Sequence, residues 1–248
     1  MDSPISRDPA REFLDLWSEI ERHLHRKYSL SERVRGMGEI LAEIRGRDAL
    51  VRRYDPALTA FRDLRNAISH HRYRDGVPIA TPRSETVDQL RRIHHELLDP
   101  LRIGQCLRAP AVVTAAPDEP LREALREMAE HTFSQLPVYE NDKYLGLLTT
   151  NAVARWLAAQ ISDNGEVLVD QVRVREVLDF VEPNEKVAHL ARTVSVAVVI
   201  DKFRKEDGAA SLVAVIVSER GLPTQKPLGV VVRDDLAYLL ERLPAVSL

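Results

Sequence analysis

Cysteine is nearly absent. The 248-residue chain has one, Cys106, which permits no internal disulfide and cannot build a multi-cysteine zinc site, so a reducing, cytoplasmic location is expected. Long hydrophobic runs are lacking too. The longest apolar stretches, residues 193–200 and 212–217, fall well short of the ~18 residues of a membrane span. The first dozen residues have neither a basic n-region nor an apolar h-region, and no signal peptide is expected. Aromatics are 5%, yet 44% of residues are hydrophobic and 29% charged with mixed sign, which favours a packed soluble protein over wholesale disorder. No G-x-S-x-G, H-E-x-x-H or G-K-[ST] pattern occurs. Gly36-Met-Gly38 has no strand before it and no third glycine, so it is no dinucleotide loop.

The net charge of −3 gives no global case for nucleic-acid binding, but it averages two unlike parts. Residues 1–102 hold 19 Arg+Lys against 17 Asp+Glu, whereas residues 103–248 hold 16 against 21. Only Lys27 among the first 19 is a lysine, and six of the eight histidines lie there as well. Arginine offers a fixed fork of donors suited to phosphate, although a codon bias toward arginine produces the same asymmetry.

The first part reads as four helices. Phe13, Leu14, Leu16, Trp17, Ile20 and Leu24 recur at three and four and predict a helix from Arg11 to about Tyr28. Ser29 or Ser31 is placed to cap a second, carrying Val34, Met37, Ile40, Leu41 and Ile44. A third is expected from about Pro56 through Ile68, ending before Gly76, and the prolines of residues 77–83 forbid helix there. A fourth starts near Ser84 and carries Val87, Leu90, Ile93, Leu97 and Leu98.

Helix three holds the chemically informative segment, with Arg65, Asn66, His70 and His71 on an otherwise apolar helix. Asn66 and His70 are four apart and share a face, whereas Arg65 and His70 stand about 140° apart round an ideal helix. These are residue types that metal-free RNA cleavage uses: a histidine moves protons at the 2′-hydroxyl or the leaving oxygen, and an arginine stabilises charge on the phosphorane. A His pair interacting with helix-end carbonyls would present the same residues. Arg65-Asn-Ala-Ile-Ser-His70, late in a helical bundle, resembles the HEPN motif, and the resemblance covers roughly residues 8–100. It implies a ribonuclease of toxin or antiviral-defence type, acting on RNA without metal as a homodimer whose two motifs form one composite site. Arg65 and His70 are then the catalytic pair, with Asn66 beside them; His71 also satisfies the spacing.

Residues 103–160 and 174–243 align with each other as two copies of a β-α-β-β-α unit. In the first, residues 111–114 are expected as a strand, Leu121, Leu125 and Met128 lie on one helix face, and strands at 133–139 and 145–149 flank a turn at Glu140-Asn-Asp-Lys. A helix from Asn151 follows. In the second, a strand is expected at 189–194, then a helix capped by Ser195, strands at 211–217 and 228–232, and a helix from Arg233 or Asp234 to Arg242. The fold class expected is α+β: an N-terminal helical bundle, residues 1–102, followed by the repeat, residues 103–248.

Ser134-Gln-Leu-Pro-Val138 followed by Gly146-Leu-Leu-Thr149 makes this repeat resemble a tandem CBS-domain pair, or Bateman module. The resemblance implies a regulatory sensor of adenosine-containing ligands, with a Thr or Ser at the third strand's end and, three residues on, an Asp for the ribose. Each copy keeps half of that pattern: Thr149 with Ala152, and Val232 with Asp235. The implied site is centred on Asp235, with Thr193 and Arg192 from the first strand of its copy and Arg233 near the phosphates. Asp235 is equally placed to act as a helix N-terminal carboxylate. His94 and His95, about 100° apart on a helix, do not suit one metal, and no metal is expected. The resulting expectation is a nucleotide-regulated, metal-independent endoribonuclease with the CBS pair as sensor. The alternative is a non-catalytic regulatory or scaffold protein whose bundle only dimerises or binds a partner.

Overall fold

The computed structural model describes residues 8–70, 80–107, 112–161, 169–204 and 211–244. In chain order the helical elements begin with α1 (Pro9–Lys27), α2 (Gly36–Ile44), α3 (Ala49–His70) and α4 (Ser84–Leu98). Then come α5 (Leu121–His131), β1 (Gln135–Glu140), β2 (Lys143–Thr149), α6 (Thr150–Gln160), α7 (Val174–Leu178) and β3 (Glu185–Ala191). The last are α8 (Val196–Arg204), β4 (Ser211–Ser218), β5 (Gly229–Val232) and α9 (Leu236–Glu241). The chain divides into two compact units. One comprises residues up to Leu101, Ser195–Asp201 and the chain from Tyr238; the other comprises Arg102–Val194 and Lys202–Ala237. The expected boundary at 102/103 therefore falls at 101/102, and the helical unit also takes segments of the second repeat.

In the helical unit, Asp8 accepts the Ala10 N–H at 3.0 Å, Pro9 opens α1, and His25, Arg26 and Lys27 close it, each matched to the helix dipole. Its buried face presents Phe13, Trp17, Ile20 and Leu24, with Phe13 stacked on Trp17 and edge-on to Phe61. Two starts differ from expectation. Helix α2 begins at Gly36, in the left-handed region at φ +78°, because Ser31 Oγ instead accepts the Arg33 N–H within the preceding turn. Helix α3 begins at Ala49, not Pro56, because Asp48 Oδ1 caps it by accepting from Leu50 N at 2.7 Å and Val51 N at 3.0 Å. Lys27 and the Tyr28 hydroxyl both bond Asp48, which holds its carboxyl below the usual range despite burial. Arg52 grips Asp201 with Nη2–Oδ2 at 2.8 Å and Nε–Oδ1 at 3.3 Å, tying the Ser195–Asp201 segment into this unit.

Glu96 is 6% exposed, and its Oε2 has no hydrogen-bond partner among the described residues. Desolvation raises its pKa above the ordinary glutamate value. The folded state thus holds the proton more tightly than the unfolded chain, and stability falls as pH rises from the ordinary value through the raised one. Glu96→Gln is expected to stabilise the helical unit by about 1 kcal/mol at pH 8 and by nothing measurable at pH 4. Urea titrations at the two pH values check this; a variant less stable at pH 8 would refute it.

In the other unit, β1 and β2 form an antiparallel hairpin closed by Asn141 and Asp142, both with positive φ, at the expected turn. The expected strand at 111–114 contracts to one parallel bridge, Ala115 with Val138, while Ala111 lies outside the described residues. The second sheet runs β3-β4-β5, with β3 parallel to β4 and β4 antiparallel to β5. The strand expected at 189–194 is β3, displaced four residues toward the N-terminus, because residues 192–194 form the turn beyond it. The segments leading into the two expected copies each pack against the residues of the other. Val174 and Val177 of α7 enter the first copy's core with Leu121, Leu136, Leu148 and Trp156. Ile103 N and Gly104 N donate to Val194 O and Arg192 O of the second. Two glycines mark close contacts in this unit: a Cβ on Gly146 would come within 3.1 Å of the Leu178 side chain, and one on Gly229 would overlap that of Leu107.

Candidate functional site

Within the repeat unit a cleft of about 240 Å³ opens between β2, the end of α7 and the start of β3. Tyr144, Gly146, Leu178, Val181 and Val187 give it largely apolar walls, and Glu185 supplies a carboxylate. Thr149 ends β2 and its Oγ1 accepts the Ala152 N–H at 3.0 Å, capping α6. The same hydroxyl donates toward Glu185 Oε2 at 3.4 Å, and Asn151 Nδ2 donates to Glu185 Oε1 at 2.9 Å. One turn further along α6, Arg155 is ion-paired with Glu182. Glu185 was invisible in the sequence because the strand that carries it was expected four residues further on.

Tyr144 is fixed at the cleft wall by its N–H, which donates to Pro223 O at 2.7 Å, and by edge-on contacts with Tyr139 and His189. Burial pushes the Tyr139 phenol up to about 12 and raises that of Tyr144 as well; it lowers His189. Tyr139 and His189 thus pack against the ring of Tyr144, which itself lines the cleft.

Asp235 is turned to its own backbone, with Oδ2 accepting the Val232 N–H at 2.9 Å. The Thr-x-x-Asp pattern is a capping box whose halves are separated here: Thr149 caps forward in one copy, and Asp235 bonds backward in the other. The structure does not bring Arg192 and Thr193 beside Asp235. Val232, which precedes the Asp235 turn, pairs with Ala214, opposite Val187, whereas Arg192 and Thr193 follow Ala191, opposite Ser218. Four residues of strand, about 13 Å, separate the two ends of the sheet. Arg192 faces Glu219, with Nη1–Oε2 at 3.4 Å, and Arg233 is exposed.

In the helical unit Arg65 and Asn66 are half-buried near the end of α3, with Arg65 Nη1 donating to Asn66 Oδ1 at 3.3 Å. His70 is the last residue of that helix, and His71 lies outside the described residues. His94 Nε2 meets Glu19 Oε2 at 2.7 Å. Among the described residues no group of three or more His, Cys, Asp or Glu is arranged to hold a metal ion, and no helix is long and apolar enough to cross a membrane.

Residues 107–159, which hold α5, β1, β2 and most of α6, match the family model of the CBS domain. No curated protein matches the chain. Among solved structures, the CBS domain of a CBS domain containing membrane protein from Sphaerobacter thermophilus is similar at 22% identity, over 58% of this chain and 90% of that one, with a TM-score of 0.41. The CBS domain pair of protein MJ0100, solved with 5′-methylthioadenosine and S-adenosyl-L-methionine, is similar at 20% identity, over 56% and 95%, with a TM-score of 0.41. The CBS-domain containing protein ATU1752 from Agrobacterium tumefaciens is similar at 18% identity, over 54% and 87%, with a TM-score of 0.38.

Proposed function

We propose that the chain is a ligand-responsive regulator in which two CBS-type copies, residues 103–160 and 174–243, bind an adenosine-containing ligand and the helical unit carries the response. The observation that carries this reading is the cleft behind β2, lined mostly by apolar residues and carrying the Glu185 carboxylate, which accepts from Thr149. A small concave site with few convergent polar groups is what a nucleoside requires: a dry slot for the base and acceptors for the sugar. The second copy is supported by its strand order and by the repeated docking of a leucine on a glycine, Leu178 on Gly146 and Leu107 on Gly229.

Calorimetry of the full chain with adenosine, AMP, ADP and ATP tests the reading. Heat with at least one ligand is expected, and Asp235→Ala is expected to weaken the site at the second copy by at least ~1.5 kcal/mol. Because Asp235 also bonds the Val232 N–H, Asp235→Asn is the companion variant: it keeps an acceptor for that bond but loses the carboxylate. Absence of heat with all four ligands would overturn the sensor reading.

A second reading concerns the response. Arg65 and Asn66 stand together in the last turns of α3, one helical turn before His70, and this favours RNA cleavage by a metal-independent, HEPN-type homodimer. Two copies of the motif about a two-fold axis would surround one phosphate with two arginines and two histidines. A ligand that alters the population of the active dimer must itself bind that dimer with altered affinity. Without cleavage, the helical unit serves to dimerise or to bind a partner.

A further inference from the structure

The cleft beside Thr149 has an unusual charge arrangement for a nucleotide site. Ala152 stands where a carboxylate for the ribose is expected, and it is fully buried, so no side chain of its own helix reaches the cleft from that position. A carboxylate is nevertheless present, delivered from the other copy. Glu185, at the first position of β3, lines the cleft and is bonded to Thr149 Oγ1 at 3.4 Å and Asn151 Nδ2 at 2.9 Å. Since Thr149 Oγ1 also accepts the Ala152 N–H, two hydrogen bonds through that hydroxyl link Glu185 to residue 152. A carboxylate has about four lone-pair sites, and the described contacts of Glu185 use two, leaving acceptors for a vicinal diol.

The same group sets the sign of the field. Arg155, which follows Thr149 on α6, is ion-paired with Glu182. Among the described residues that line the cleft, Glu185 is the only charged one. Phosphate oxygens brought into the cleft would face that carboxylate with no cation in the described lining to offset the repulsion.

Resting on the sensor reading, we propose that Glu185 supplies from β3 the ribose-binding carboxylate that position 152 lacks, and thereby restricts this cleft to adenosine-type nucleosides without phosphate. Its chemistry suits a neutral nucleoside, or one carrying a positive charge on its 5′ substituent, and rejects the mono-, di- and triphosphates.

The test is calorimetry of the full chain with adenosine, 2′,3′-dideoxyadenosine and AMP, together with hydrogen exchange over residues 143–160 to locate the bound ligand. Adenosine is expected to protect that segment; AMP is expected to bind there at least ~30-fold more weakly, and dideoxyadenosine at least ~10-fold more weakly. Glu185→Gln is expected to weaken adenosine about tenfold and to bring AMP within a few-fold of it, whereas Glu185→Asp keeps the discrimination against AMP. Circular dichroism melts confirm that both variants fold. AMP binding as tightly as adenosine at this segment, unchanged by Glu185→Gln, would overturn the inference while leaving the sensor reading standing. No binding by any of the three, in a protein that also gives no heat with ADP or ATP, would overturn both.

Discussion

On the ribonuclease reading, replacing Arg65 by alanine is expected to lower RNA cleavage by this chain at least ~100-fold, and His70→Ala is expected to do the same. The reaction in view is attack of a ribose 2′-oxygen on the adjacent phosphorus, with cleavage of the bond to the 5′-oxygen. One proton leaves the 2′-hydroxyl and one reaches the departing oxygen, giving a 2′,3′-cyclic phosphate and a 5′-hydroxyl. In that reaction Arg65 would stabilise the charge that builds on the phosphorane, and a histidine whose ordinary pKa is near neutrality would move the protons. Arg65 Nη1 donates to Asn66 Oδ1, so the two side chains are held together on the last turns of α3. Arg65→Lys tests whether charge suffices: a planar fork bonding two phosphate oxygens predicts that lysine restores little. Gel analysis of total RNA and of product ends, with and without EDTA, reads the outcome, and light scattering reads the dimer. Cleavage that EDTA abolishes, that survives both alanine variants, or that persists in a strict monomer would leave the helical unit as a dimerising or partner-binding element.

Periodicity made the long helices legible. The a-and-d-like spacing of Phe13, Trp17, Ile20 and Leu24, and that of Val87, Leu90, Ile93 and Leu97, marks buried faces that the structure shows as such. The hairpin was legible for a different reason: Asn141-Asp142 are residue types that tolerate positive φ, and both adopt it. Signals failed where a local rule met a tertiary one. Pro56 reads as a helix start, yet it lies inside α3, because the Asp48 cap and its Lys27 and Tyr28 partners nucleate the helix seven residues earlier. Strand β3 opens on Glu185-Lys186, which reads as loop, and its partner β4 decides otherwise by pairing Glu185 with Ser211 and Lys186 with Leu212. That shift removed Arg192 and Thr193 from the site expected for them and introduced Glu185 to another. Nor does sequence order reveal that Ser195–Asp201 belongs with the helices, since the Arg52–Asp201 pair joins residues far apart in the chain.

Gly221→Ala is expected to destabilise the repeat unit by about 2–4 kcal/mol, and the position shows why two small effects combine into a large one. Gly221 sits at φ +74° in the loop between β4 and β5, a conformation that costs an L-residue about 1–2 kcal/mol. It also lies directly on the end of β3: an added Cβ would come within 2.6 Å of Ala191 N and 2.8 Å of Leu190 C, both backbone atoms that cannot rotate away. Buried Ser218 fixes the loop there, its Oγ accepting the Gly221 N–H at 3.0 Å. Gly36 is the control, because its φ of +78° is nearly the same but nothing lies within 4 Å of its Cβ position. Gly36→Ala should therefore cost the conformational part alone, about 1–2 kcal/mol, and the difference between the two variants measures the close approach. The two tryptophans report separately, Trp17 from the helical unit and Trp156 from the first copy's core, so urea unfolding in single-tryptophan backgrounds assigns each loss to its unit. Since Pro223 O accepts the Tyr144 N–H two residues beyond Gly221, a displaced loop also moves one wall of the cleft, and nucleoside affinity is expected to fall together with stability. Equal losses in the two glycine variants, or an unchanged cleft, would show that the loop yields where the packed backbone of β3 requires it to hold.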